Sequence, residues 1–140
     1  MATLIDALLA VDDDKLTAKP TDTIEIPRLS KLTGSKFELT VTAIPPKRAD
    51  EITNTCLKIS SRGKFQEIDT TMLHILNILD GVTSIDFNNK ELKKKLHAAT
   101  PKDVVLNLFT AGEIANIFNA IQKVSGFGDD EEERKDEIKN

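Results

Sequence analysis

Apolar residues recur along this chain at two periods, a helical one over most of its length and an alternating one near the N-terminal third. The helical pattern is clearest over residues 99–127, ATPKDVVLNLFTAGEIANIFNAIQKVSGF, where two consecutive helices are predicted. Thr100 is placed to cap the first, Pro101 has the backbone angle favoured at a first helical position, and Asp103 brings a carboxylate to the free N–H groups. Val104, Val105, Leu108 and Phe109 then follow at helical spacing. Thr110 and Glu113 form a capping-box pattern that starts the second helix, and Ile114, Ile117, Phe118, Ile121 and Val124 line one of its faces. Asn116, Asn119, Gln122 and Lys123 occupy the opposite face, and Gly126 stands where a left-handed cap ends a helix.

Upstream the pattern is more varied. Residues 3–11 predict a short helix capped by Thr3, with Leu4, Ile5, Leu8 and Leu9 as an apolar patch that needs a partner surface, either the protein's own core or another copy. Residues 12–20, DDDKLTAKP, are expected to be a linker. Residues 23–29 and 36–43 alternate as strands do, joined by a turn at Thr33, Gly34 and Ser35; Pro27 restricts the first strand to an edge or a bulge. No third strand of equal quality is apparent, so this ribbon must pack on helices or pair with another subunit. Pro45 and Pro46 open a helix whose stripe is Ala49, Ile52, Cys56 and Ile59, and residues 60–64, SSRGK, are expected to be a loop. Asp69 caps a helix that is apolar nearly all round, from Met72 to Leu79 with His74 inside it, and such a helix belongs at the centre of a fold. It stops at Asp80-Gly81. Asn88 and Glu91 predict one more helix start, with Phe87 and Leu92 as a hydrophobic staple and Lys93, Lys94 and Lys95 on a solvated face.

The fold class that follows is mainly α with one β-hairpin (α+β): a small bundle of about five helices carrying an N-terminal two-stranded ribbon. Residues 1–20 form an arm and linker, residues 21–128 an α-rich globular domain with its hairpin at 23–43, and residues 129–140 an acidic flexible tail.

Charge and composition narrow the chemistry. The net charge of −4 resides in the tail, where seven acids face three bases, and residues 1–128 are neutral. A neutral body offers no positive field to a phosphate backbone, so nucleic acid is not an expected partner. One cysteine, Cys56, excludes an internal disulfide and fits a reducing compartment, where it reads as a small core hydrophobe. No apolar stretch is long enough to span a bilayer, and no membrane partner is expected. The three aspartates at 12–14 lack the glycine and glutamate of a calcium loop, and Gly63-Lys64 lacks the rest of a phosphate-binding loop. With two scattered histidines and no nucleophile arrangement, the chain is not expected to be an enzyme or to hold a metal or cofactor.

Three segments in order, EIPRLSKLTGSKFELTVTAI (25–44), ILNILDGV (75–82) and AATPKDVVLNLFTAGEIANIFNAIQKVSGF (98–127), followed by an acidic end, resemble the XkdN-like phage tail assembly chaperones of long-tailed phages and prophages of Gram-positive bacteria. The resemblance implies a protein that acts in the host bacterial cytoplasm and is absent from the finished virion. It implies binding to the tape-measure protein, which is kept soluble, and recruitment of the major tail-tube protein. It also implies a homo-oligomer and a longer partner form made by a translational frameshift, for which Lys139-Asn140 is a codon-compatible slip site. The face of Ile114, Ile117, Phe118 and Ile121, with Phe109 nearby, is the candidate partner-binding surface; the same stripe is equally what a core requires. Two other classes remain: a structural tail component that adds strands across subunits, and a small acidic host-directed regulator acting through its tail.

Overall fold

A computed structural model describes residues 3–59 and 66–127 of the chain. It begins with two short helices, α1 (Leu4–Leu9) and α2 (Asp13–Thr17), in which no residue is buried. Strand β1 (Thr21–Glu25) is followed by helix α3 (Pro27–Thr33) and strand β2 (Glu38–Thr42). Helix α4 (Pro46–Cys56) runs into β3 (Leu57–Ile59), which pairs with β4 (Gln66–Ile68). Helices α5 (Thr70–Gly81), α6 (Lys90–Lys95), α7 (Pro101–Leu108) and α8 (Ala111–Val124) complete the chain. The described residues thus hold eight helices where about five were expected.

The additional elements have local causes. Residues 12–20 are not a plain linker, because α2 forms inside them. The strand expected to pass through Pro27 ends at Glu25, and Pro27 becomes the first residue of α3, the helical position where its missing N–H costs nothing. The expected turn at residues 33–35 is therefore the end of a helix, with Gly34 at φ 78° and its N–H donating to the Ser30 carbonyl. Ser30 ties α3 between the strands: its hydroxyl donates to Glu25 Oε2 at 2.9 Å and accepts from the Phe37 N–H at 2.8 Å. The helix predicted to reach Ile59 stops at Cys56, since Leu57 takes an extended backbone and starts a second two-stranded ribbon, a pairing absent from the expected fold. The cap of α6 is Asn89 rather than Asn88, its side chain accepting from the Leu92 N–H. The loop expected at residues 60–64 and the acidic tail expected at 129–140 lie outside the described residues.

β1 and β2 pair antiparallel, from Thr21 opposite Thr42 to Glu25 opposite Glu38. The outer edge of β2 is covered by the segment after α5: Val82 bridges Val41, the Thr83 N–H donates to the Thr40 carbonyl, and the Thr40 N–H donates to Ser84 Oγ. α5 is the central helix, as its nearly continuous apolar surface predicts, with α4, α7 and α8 against it. Gly81 lets α5 approach α8 closely, because a Cβ there would lie 2.7 Å from Ile121 Cδ1. The core gathers Ile26, Leu39 and Val41 from the ribbon end, Ile52 and Cys56 from α4, and Ile75 and Ile78 from α5. Burial pushes the Cys56 thiol above its ordinary pKa, which suits a packing residue rather than a nucleophile.

Candidate functional site

The site grows from the junction of α7 and α8. Phe109 and Thr110 break the helical run because Phe109 adopts extended backbone, and the two axes meet at a 117° bend. Thr100 caps α7 and the Thr110–Glu113 box caps α8, both as their sequence patterns predict. In the box, the Glu113 N–H donates to Thr110 Oγ1 at 3.2 Å and Glu113 Oε1 accepts from the Thr110 N–H at 2.9 Å.

The same carboxylate receives a second partner from a distant part of the chain. Arg28 of α3 forks onto it, Nε donating to Oε2 at 3.0 Å and Nη2 to Oε1 at 2.9 Å, while Nη2 also donates to the Leu108 carbonyl at 2.6 Å. That last bond satisfies one of the carbonyls left open at the end of α7. Hydrogen bonding from Arg28 holds the Glu113 carboxyl below the usual carboxylate range, opposed by its partial burial and aided by the Thr110 N–H. The angle between the helices is thereby held by a charged clamp.

Where this corner meets α5 lies an open cavity of about 320 Å³, lined by Thr71 and His74 of α5, Leu106 of α7, Phe109, and Ala111 and Ile114 of α8. Leu106 is 46% exposed. The His74 ring is half-buried and packs on Phe118, with centroids 4.2 Å apart and planes inclined by 34°. The result is a mostly hydrocarbon-lined recess with one imidazole and one hydroxyl, suited to holding an apolar side chain of a partner. Among the described residues no group of three or more His, Cys, Asp or Glu is placed to hold a metal.

The five residues singled out from the sequence separate into two sets. Ile117 and Ile121 are fully buried and Phe109 is 5% exposed, so these three pack the protein's own interior. Ile114 and Phe118 are half-buried at the surface, and Ile114 lines the recess together with Phe109. Leu106, His74, Thr71 and Ala111 join them without having been singled out as partner residues. Leu106 carried a weak signal, a large apolar residue on a short helix whose buried positions are Val104 and Val105.

No single described helix is long and apolar enough to cross a membrane. The family model for the phage XkdN-like tail assembly chaperone protein matches residues 5–139. The phage-like element PBSX protein XkdN of Bacillus subtilis (strain 168) is 28% identical over 111 residues, covering 76% of this chain and 75% of that protein. Protein YqbN of the same strain is 27% identical over 124 residues, covering 84% and 83% of the two. A crystal structure of protein YqbN superposes with a TM-score of 0.58 at 19% identity, covering 84% of this chain and 98% of that one, which shows a shared fold.

Proposed function

The chain belongs to the XkdN-like phage tail assembly chaperone family, and from that premise we propose that it binds the tape-measure protein, keeps that long helical client soluble, and helps bring tail-tube subunits to it. The family match across residues 5–139 carries this reading. The recess at the α7–α8 corner supplies a physical means: an apolar helix of a client can set one side chain between Leu106, Phe109 and Ile114. A recess of this size grips weakly, and a client covered by several copies is held through their number while each copy stays displaceable by growing tube. Such a protein works in the host cytoplasm and leaves before the virion is complete.

The test is co-expression with the tape-measure protein of the same phage or prophage, followed by size-exclusion chromatography with light scattering. The expected result is a client soluble only in the presence of this chain and eluting with it. Leu106→Asp, on an exposed position, is expected to lose the complex while leaving the far-ultraviolet circular dichroism of the chain unchanged. A client equally soluble without this chain overturns the reading.

A further inference from the structure

The N-terminal arm exposes apolar surface out of proportion to its size. Of the ten large hydrophobic residues that are exposed among the described residues, six lie in it: Leu4, Ile5, Leu8, Leu9, Val11 and Leu16. Leu4 is 85% and Leu9 78% exposed, and every residue from 3 to 20 is exposed. The arm is nevertheless ordered as helix, with Thr3 and Asp6 closing a capping box on α1. Its root is fixed where the Ala43 N–H donates to the Pro20 carbonyl at 3.0 Å, beyond the end of the ribbon. An arm of this composition needs a covering surface, and its charge identifies one. Residues 3–17 carry Asp6, Asp12, Asp13 and Asp14 against Lys15, a net charge of −3. Helix α6 carries Lys90, Lys93, Lys94 and Lys95 against Glu91, a net charge of +3.

Beside α6 the surface is also concave and apolar. A cavity of about 290 Å³ opens between Leu79, Ile85, Phe87 and Pro101, with Asp86 and Asn88 at its polar side. Lys93 Nζ donates to Asn88 Oδ1 at 2.8 Å and so places an ammonium group at this rim. A larger cavity of about 470 Å³ lies between the arm's own root, Thr17 to Pro20, and the body of the protein at Ile44, Pro46 and Val124.

We infer that the arm is an exchange element: α1 and α2 dock on the α6 face of a second copy of this chain, their leucines filling the cavity beside Phe87 and their aspartates facing the α6 lysines. Each copy carries both the donor and the acceptor, so a reciprocal exchange closes a dimer and a one-way exchange strings copies into an array. The inference goes beyond client binding and does not depend on it.

The test is sedimentation velocity with light scattering on the full chain across a concentration series at low and high salt, without client. The mass is expected to rise above 15.5 kDa toward at least twice that value as concentration increases, and to fall back in salt near 1 M, where screening shortens to about 3 Å. Ile5→Asp with Leu8→Asp, and separately Lys94→Glu with Lys95→Glu, each weaken association roughly tenfold or more, equivalent to about 1.4 kcal/mol. All four positions are exposed, so circular dichroism stays unchanged. Mixing the Lys94→Glu, Lys95→Glu chain with an Asp13→Lys, Asp14→Lys chain restores association between the two variants. A wild-type chain that stays monomeric at every concentration overturns the inference, as does an arm variant that associates like wild type or a charge-swapped pair that does not associate.

Discussion

Helices α1 and α8 start with the same device and end in opposite environments. In each a threonine caps the helix and an acid three residues later closes a capping box, Thr3 with Asp6 and Thr110 with Glu113. Each presents isoleucine or leucine at helical spacing. Yet α1 has no buried residue, while α8 buries Ile117 and Ile121 completely. Length is part of the difference: six residues expose one short patch, whereas fourteen carry a stripe along which α5 and the ribbon both find contact. The rest is the partner of the capping acid. Asp6 is exposed and among the described residues pairs with Thr3, while Glu113 is also gripped by Arg28 from α3, so the start of α8 is joined to the body of the protein. A capping box decides where a helix begins, and only the surface opposite it decides whether that helix contributes to global stability.

The largest test of this contrast is truncation of matched apolar residues. Ile117→Ala is expected to lower the free energy of unfolding by about 2 to 5 kcal/mol, because it removes a fully buried side chain and leaves a cavity. Leu4→Ala is expected to change it by less than about 0.5 kcal/mol. Urea unfolding followed by circular dichroism reads both, and equal effects would mean that the arm is packed on the body.

A smaller effect is expected where α5 meets α8. An alanine methyl at position 81 would meet Ile121 Cδ1 at 2.7 Å and Cγ1 at 2.9 Å, and Ile121 is itself fully buried. Gly81→Ala should therefore destabilise by about 1 to 3 kcal/mol despite the better helix propensity of alanine. Adding Ile121→Val should recover part of that loss, and a stabilised Gly81→Ala chain would show the contact to be looser than described.

The smallest effect separates the two capping acids by pH. Hydrogen bonds hold both carboxyls below their ordinary pKa, those from Arg28 foremost for Glu113 and that from the Thr3 N–H foremost for Asp6. A depressed carboxyl contributes stability that is complete above its unfolded pKa, roughly 4.3 for glutamate, and lost as pH falls through the lower folded value. For Glu113 that loss belongs to cooperative unfolding, and for Asp6 only to fraying of α1. Urea midpoints measured from about pH 6 down to about pH 3 should therefore show an acid-side decrease that Glu113→Gln reduces and Asp6→Asn leaves unchanged.

Much of the helical fold was legible because its signals are local. Thr100 with Pro101, Thr110 with Glu113, Asp69 and Gly126 mark helix ends through groups within a few residues of one another, and the structure has them in those roles. Pro27 and Gly34 were ambiguous for the same reason. A proline after alternating residues fits an edge strand or a helix start, and it is the pairing of β1 with β2 around α3 that selects the helix. The second ribbon leaves no pattern in the sequence because three-residue strands are too short for a period to register.

The candidate site divides along the same line. Periodicity identified the stripe of Ile114, Ile117, Phe118 and Ile121, since the spacing of side chains around a helix is a property of the chain alone. Which of them face inward depends on where α5 lies, and nothing in the stripe encodes that. The 117° corner, the Arg28 clamp on a carboxylate 85 residues away and the recess between Leu106 and His74 exist only once distant segments are brought together. Sequence by itself determined the helices, their caps and the apolar residues available for burial. Tertiary structure decided which apolar residues were used up in the core and which were left for a partner, because burial is settled by competition among all the surfaces of the folded chain.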